Sequence, residues 1–361
     1  MRPPKICLIG NSLSFGGADK IHAVLSNYFA SQGFEIHNII FIDAVTYDFS
    51  GALLNLGKTY KKGGILEVLN RFRMIFKYLK QHDFDFIIDF RTHRKPLREL
   101  ILSRMMSRYR YIPTVHSFNT EWYLTPNRFV SKAIFAKAYK IVSVATEIEK
   151  KLRTQYGYTN TMTIANPLEL LKIDALSDEN SDIQFEYILA AGRMEADDHK
   201  QFRKLIGAYA DSDLPQNGIK LLFLGDGPLR TALEKSAADN NLADMIVFKG
   251  FVPNPYPYLK KARFTVLTSK FEGLPNIIAE SLASGTPVVS FDCQSGPSDL
   301  IRHRENGLLV PDQDWKAFVA SIQEMSRNEA LRQYCASNAR SGVERMDVSQ
   351  IGQIWKKLLQ Q

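Results

Sequence analysis

The chain has 361 residues, 45% of them hydrophobic and 23% charged, the balance of a soluble globular protein and enough length for two α/β domains of ordinary size. No apolar run approaches the roughly eighteen residues that would cross a bilayer. The net charge of +8 is uneven: residues 1–167 hold 24 Lys and Arg against 12 Asp and Glu, the remainder 22 against 26, so the basic first half is suited to an anionic partner.

The first apolar run, Lys5–Ile9, is ended by Asn11 and reads as a buried strand rather than a secretion signal. The segment from Ser14 to Lys20 follows, and then a helix, Asp19–Gln32. No Gly-Lys-Ser/Thr closes this loop, so it is not a P-loop. The paired Gly16 and Gly17 would still let the backbone approach a phosphate; the alternative is a flexible turn. Ile36–Ile42, Phe84–Phe90, Tyr111–Val115 and Lys140–Ala145 read as further strands, with a helix over Leu66–Gln81. Asp83-Phe-Asp85 has the spacing of a metal-binding acidic pair, but it precedes a strand and reads as solvated strand entry. Arg91-Thr-His93 and His116 each end a strand, the position where doubly wound sheets bind ligands. Lone histidines are also commonly structural.

After Asn166-Pro167 the pattern restarts, and the polar stretch Asp178–Asp182 reads as the linker. Tyr187–Ala191, Lys220–Leu224, Met245–Lys249, Phe264–Thr268 and Val288–Ser290 are expected strands, with a helix over Pro228–Asn240. Gly192-Arg193 follows the first of these, and Lys200 comes seven residues later at a helix start. Two such cations can neutralise a departing diphosphate, or form a solvated pair beside the acidic turn Glu195–Asp198. That turn and His199 have no expected role. Gly225-Asp-Gly-Pro228 and Lys249-Gly250-Phe-Val252 are turns at strand ends; the backbone of the second can read a pyrimidine edge or be a packed strand terminus.

The fullest motif is Phe271-Glu-Gly-Leu-Pro-Asn276, running through Glu280 to Ser290. Gly273 permits an unusual backbone, and Pro275 suits a helix start whose N–H groups would face an anion. Glu272 in the loop and Glu280 in the helix can grip hydroxyls at two ends of one extended ligand, a hexose and a ribose. A helix with an acidic first turn and one exposed glutamate is the plainer reading.

This stretch resembles the E-x7-E signature of retaining glycosyltransferase family 4, which has the GT-B fold. Gly285–Ser290, Ser295–Ile301 and Glu305–Pro311 are similar to the same family, and the nearest likenesses are bacterial enzymes of lipopolysaccharide, capsule and lipid-linked oligosaccharide synthesis. The resemblance implies an α/β architecture of two Rossmann-like, doubly wound domains facing a central cleft. Residues 1–167 would bind the acceptor, 168–345 the nucleotide sugar, and the last helix, within 346–361, would cross back. It implies that Arg193 and Lys200 hold the diphosphate, Glu272 the sugar and Glu280 the ribose. Gly16, Gly17, Gly225, Gly250, Gly273, Leu274, Pro275 and Asn276 would line the donor's phosphates and base, and His116 would face the sugar ring.

The expected reaction is therefore transfer of a hexose or N-acetylhexosamine, with retention, from a nucleotide diphosphate sugar, UDP-linked, to a hydroxyl of a growing bacterial surface glycan or lipid-linked oligosaccharide. No resident cofactor and no metal are expected, since no His, Asp or Glu cluster has ligand spacing. Three dispersed cysteines, Cys7, Cys293 and Cys335, suit a reduced cytoplasmic location. No nucleic-acid partner is expected. Leu66–Gln81 carries an apolar face of Leu69, Phe72, Phe76 and Leu79 and a basic row of Arg73, Lys77 and Lys80, and Arg91–Arg110 adds seven more cations, so peripheral docking on the anionic inner membrane is expected; the alternative is that the apolar faces pack on the sheet and the charges are solvated. Two rivals remain: a sugar-nucleotide epimerase of the same fold, which would not need a basic acceptor domain, and a membrane-surface binding module, which would not need the glycine-rich loops.

Overall fold

Runs of Ile, Val, Leu and Phe too short for helices form the strands, and the amphipathic stretches between them form helices. The computed structural model describes residues 3–14, 16–59, 64–93 and 95–360. The chain divides into two units: Met1–Pro167 with Val348–Gln361, and Leu168–Asp347.

In chain order, the first unit comprises β1 (Lys5–Gly10), α1 (Gly17–Ser31), β2 (Glu35–Ile40), β3 (Ala52–Asn55), α2 (Ile65–His82), β4 (Phe86–Asp89), α3 (Pro96–Met106), β5 (Arg110–Val115), α4 (Arg128–Phe135), β6 (Ile141–Ser143), α5 (Thr146–Thr154) and β7 (Thr161–Thr163). Among the described residues its seven strands form one sheet in the order β3-β2-β1-β4-β5-β6-β7, every pair parallel. Parallel pairing requires crossovers, which the helices supply, and it buries the strands on both faces. Ile6, Leu8, Ile88 and Ile112 are fully enclosed.

The second unit comprises α6 (Leu170–Ser177), β8 (Tyr187–Ala191), α7 (Phe202–Ala210), β9 (Lys220–Leu224), α8 (Arg230–Asp239), β10 (Ile246–Gly250), α9 (Tyr256–Lys261), β11 (Thr265–Leu267), α10 (Asn276–Ala283), β12 (Val288–Phe291), α11 (Pro297–Leu300), β13 (Gly307–Val310), α12 (Trp315–Arg327) and α13 (Glu329–Ala339). Its sheet is also parallel, in the order β10-β9-β8-β11-β12-β13. Each unit is thus a doubly wound, Rossmann-like α/β layer, and in each the strand order reverses beside its first strand, the place where such sheets bind ligands.

The last helix, α14 (Val348–Leu359), belongs to the first unit. Ile351, Trp355, Leu358 and Leu359 enter that unit's core, with Trp355 edge-on to Phe29 at 6.4 Å between ring centroids. Ile354, expected on the same face, is partly exposed. A Cβ at Gly352 would fall 2.1 Å from the Tyr28 ring, so only glycine lets α14 lie this close to α1.

Three features differ from the sequence reading. Strands β3, β7 and β13 were not expected. The stretch Asp178–Asp182 is no free linker but is fastened to the second unit: Asp178 pairs with Lys260, Glu179 accepts from Asn254, and Asp182 pairs with Lys249 and accepts from Tyr258. On α2 the buried side is Ile75 and Leu79, while Leu69 and Phe76 face outward. The helix carries two apolar stripes, and the one that abuts the sheet is buried.

Candidate functional site

The loops beyond the carboxyl ends of β8, β9, β11 and β12 meet at one end of the second unit's sheet. The β8 and β11 loops are tied together at several points. Thr268 Oγ1 donates to the Lys200 carbonyl at 2.8 Å, Gln201 Nε2 donates to the Thr268 carbonyl at 2.8 Å, and Lys270 N donates to the His199 carbonyl at 2.8 Å. The His199 ring stacks on Phe271 with centroids 5.7 Å apart. Phe271 bridges to Gln294, and Ser295 Oγ donates to the Gly273 carbonyl at 2.9 Å, which adds the loop after β12.

Lys200 and Glu272 meet inside this knot. Lys200 Nζ donates to Glu272 Oε1 at 2.5 Å, with both side chains largely buried. A second donor, Ser269 Oγ, reaches the same oxygen at 2.6 Å. Arg193 stands apart from this pair. It is exposed and pairs with Glu195 at 3.0 Å, so here each of the two cations rests on a carboxylate rather than both on one open anion site. The acidic turn without an expected role has local ones: Asp198 accepts from the N–H groups of Phe202 and Arg203 at the start of α7, and Asp197 holds His199 Nδ1 at 3.0 Å. Asp198 and Gln201 have φ of 45° and 57°, left-handed values that non-glycine residues hold only where the surroundings enforce them.

Gly225 follows β9 with φ 125°, and a Cβ there would stand 2.1 Å from the Gly192 carbonyl oxygen. The glycine therefore lets the β9 turn pass directly beneath the β8 loop. Gly225 N also donates to the Gly250 carbonyl at 2.8 Å, which brings the β10 end alongside. Arg230 lies next to it, its NH2 group donating to the Phe248 carbonyl at 3.1 Å. Leu274 is buried, Pro275 caps α10, Asn276 is its first residue, and Glu280 is buried in its middle.

The first unit holds the remaining expected residues. Gly16 and Gly17 lead into α1, but a carboxylate already stands there: Asp19 accepts from Ser12 Oγ at 2.5 Å. His116 directly follows β5, with Nε2 2.9 Å from Thr114 Oγ1 and its ring tilted against Phe90 at 5.7 Å. Burial pushes its imidazole pKa down to about 4, so it is neutral at physiological pH. Together with Ile21, Phe90, Thr114 and Trp355 it lines a small cavity beneath α1 and α14.

Arg91 and His93 turn inward instead of toward a ligand. Asp89 is fully enclosed and accepts from Arg91 Nε at 2.9 Å, Arg91 NH2 at 2.7 Å, His93 Nε2 at 3.1 Å and Tyr111 Oη at 2.9 Å. Glu99 takes a further bond from Arg91 at 3.2 Å. Burial alone would raise the Asp89 pKa, but the charges and bonds of Arg91 and His93 overcome it and hold it below the usual range. Asp83 ends α2, and Asp85 accepts from Lys5 N at the entry to β4.

A different surface lies on α2 and α3. Leu66, Leu69 and Phe76 are exposed beside Arg73, Lys77 and Lys80. Phe76, Leu100, Ile101 and Met105 line an open groove edged by Arg104 and Arg108. Of the basic run, Arg94 lies outside the described residues, Arg91 is buried, and Arg98 and Arg110 lie over aromatic rings. No helix among the described residues is long and apolar enough to cross a membrane.

Sequence reasoning missed Ser269 and Thr114. Their one signal was position, a hydroxyl three residues before Glu272 and another two before His116.

Comparison with known proteins fits this geometry. Residues 175–342 match the family described as Glycosyl transferases group 1. The chain is 26% identical over 348 residues to N-acetylgalactosamine-N,N'-diacetylbacillosaminyl-diphospho-undecaprenol 4-alpha-N-acetylgalactosaminyltransferase of Campylobacter jejuni, a match covering 93% of this chain and 94% of that protein. Among solved structures it is similar to sucrose-phosphate synthase from Thermosynechococcus elongatus, with a TM-score of 0.78 at 20% identity, and to HepE of Anabaena in complex with UDP and glucose, with a TM-score of 0.79 at 16% identity; each match covers 99% of both chains. The protein is a glycosyltransferase of the GT-B fold, an enzyme of the hexosyltransferase class. The stretch that matches Glycosyl transferases group 1 lies within the second unit.

Proposed function

We propose that the enzyme moves a hexose or N-acetylhexosamine, with retention of configuration as in glycosyltransferase family 4, from a UDP-linked sugar to a hydroxyl of a lipid-linked oligosaccharide or growing bacterial surface glycan. The observation that carries this reading is the Lys200–Glu272 pair, a cation and a carboxylate joined at the ligand-binding end of a parallel sheet. The Campylobacter relative's diphospho-undecaprenol substrate and the UDP in the HepE structure support the acceptor and donor.

In the reaction the bond from the anomeric carbon to the diphosphate breaks, a bond to the acceptor oxygen forms, and the acceptor proton passes to the departing diphosphate. Lys200 and Arg193 offset the charge that develops on that diphosphate. Glu272 holds sugar hydroxyls and Glu280 the ribose. The glycine turns at Gly225 and Gly250, with the Gly273–Asn276 helix start, shape the donor pocket. Gly16 and Gly17 serve the donor's phosphates, and His116 the sugar ring. We assign no resident cofactor and no metal to this chemistry. The enzyme works in the cytoplasm, with α2 and α3 resting on the anionic inner membrane that carries the acceptor.

A thermal-shift panel of UDP, GDP and ADP sugars tests the donor. Binding raises Tm through RT ln(1 + [L]/Kd), so the UDP sugars should give the largest rise. A larger rise with a GDP or ADP sugar overturns the UDP assignment. Conversion of the donor alone into an epimer would overturn the transferase reading.

A further inference from the structure

Two donors converge on a single oxygen of Glu272. Lys200 Nζ is 2.5 Å from Oε1 and Ser269 Oγ is 2.6 Å from it, while the described residues give Oε2 no hydrogen bond. Ser269 is fully buried, immediately after Thr268, whose side chain and carbonyl are both tied to the β8 loop. Its hydroxyl is therefore fixed in place, and a hydroxyl so enclosed needs an acceptor. Lys200 differs: its ammonium rides on a flexible four-carbon stem and can change partners.

The two donors would part when a nucleotide diphosphate arrives. The diphosphate carries more charge than one carboxylate and draws the ammonium toward itself. Glu272 then loses one of its donors at the moment it must hold a fixed orientation. A neutral hydroxyl on a one-carbon stem stays where it is. We propose that Ser269 is a positioning residue that keeps Oε1 of Glu272 anchored when Lys200 turns to the leaving diphosphate, so that Oε2 is presented to a hydroxyl of the transferred sugar. This rests on the reading of Glu272 as the sugar-holding carboxylate.

The test follows release of nucleoside diphosphate from the nucleotide sugar that the thermal-shift panel selects, using the full chain. Ser269→Ala should lower kcat about ten- to hundredfold, the range for losing a hydrogen bond to a charged group. Affinity for the free nucleoside diphosphate, measured by calorimetry, should stay within about twofold, and Ser269→Thr should restore much of kcat. In a Glu272→Ala background Ser269→Ala should cost nothing further. Wild-type kcat in Ser269→Ala, an equal added loss in the Glu272→Ala background, or a matching fall in nucleotide affinity would each overturn the proposal. If Glu272→Ala itself keeps wild-type kcat, the reading of Glu272 falls and this inference with it. If Glu272→Ala is impaired and Ser269→Ala is not, only the role of Ser269 falls.

Discussion

Thr114 Oγ1 lies 2.9 Å from His116 Nε2 and donates its one proton to the Asp89 carbonyl oxygen, also at 2.9 Å. The threonine can therefore only accept from the histidine, which fixes His116 in the tautomer protonated at Nε2. Nδ1 is enclosed, with no partner among the described residues. His22 is held in the same way: fully buried, stacked on Phe90 at 5.1 Å, with Nε2 3.0 Å from Asn38 Oδ1. For both, burial is the leading cause that lowers the pKa from 6.5 to about 4, opposed at His22 by the Asn38 bond. Between those values the native chain binds fewer protons than the unfolded one, so stability rises with pH there and is lost as pH falls toward 4. The unfolding free energy from urea titrations should drop steadily from pH 7 to 4.5, by at most about 3 kcal/mol per histidine. His22→Gln should flatten that slope; an unchanged slope would refute the assignment.

The enclosed Asp89 makes Arg91 structurally indispensable. Arg91→Met should cost about 3–5 kcal/mol, because it leaves a buried carboxylate without its main counter-charge. Arg91→Met combined with Asp89→Asn should recover part of that loss. Denaturant unfolding of both variants reads the difference, and a double variant no more stable than the single one would contradict it.

Lys200→Ala should lower turnover ~10²–10³-fold, by analogy with removing one preorganised donor from a developing charge. Glu272→Gln should impair transfer with little effect on nucleotide affinity, and Glu280→Gln the reverse. Calorimetry with the free nucleotide separates the two, and an unchanged affinity in Glu280→Gln would end the ribose assignment.

On the proposal that Lys200 and Arg193 are the cations that meet the diphosphate, activity should survive excess EDTA. A complete loss restored by Mg²⁺ or Mn²⁺ would show that a divalent ion shares that work.

The outward face of α2 joins Leu69 and Phe76 to Arg73, Lys77 and Lys80. Each cation near an anionic lipid surface contributes about 1 kcal/mol, and exposed apolar side chains add to it. The protein should sediment with phosphatidylglycerol vesicles at low salt and release in about 0.5 M NaCl. Changing Arg73, Lys77 and Lys80 together to Glu should weaken the binding. Equal binding to neutral vesicles, or none to either kind, would favour a soluble acceptor.

The sequence made the two parallel sheets legible because their central strands, such as Ile188–Ala190 and Val288–Val289, are enclosed on both faces and so are apolar throughout. Two outer strands, β3 and β7, escaped notice for the converse reason. Ala52–Asn55 is partly exposed, and Thr161–Thr163 is polar at two of its three positions. Helix α2 shows the limit of periodicity, since a pattern reveals two apolar stripes but not which one meets the sheet. At the site, Glu272, Lys200 and Gly225 were visible from their places after strands. Their mutual contacts were not, because a bond spanning 72 residues, as between Lys200 and Glu272, leaves no trace in local spacing. Arg91 and His93 took the plainer of their two readings, since a strand's carboxyl end can face the interior as well as a ligand.

The placement of α14 sets a timetable for the molecule's birth. Ile351, Trp355, Leu358 and Leu359 complete the core of a unit whose other residues end at Pro167, so a helix made after the whole second unit finishes the core begun before it. The second unit is continuous in sequence and can close while translation is still under way. Throughout that interval Phe29 and Tyr28 on α1 wait without the cover of Trp355 and Gly352, an apolar flank that α14 later shields.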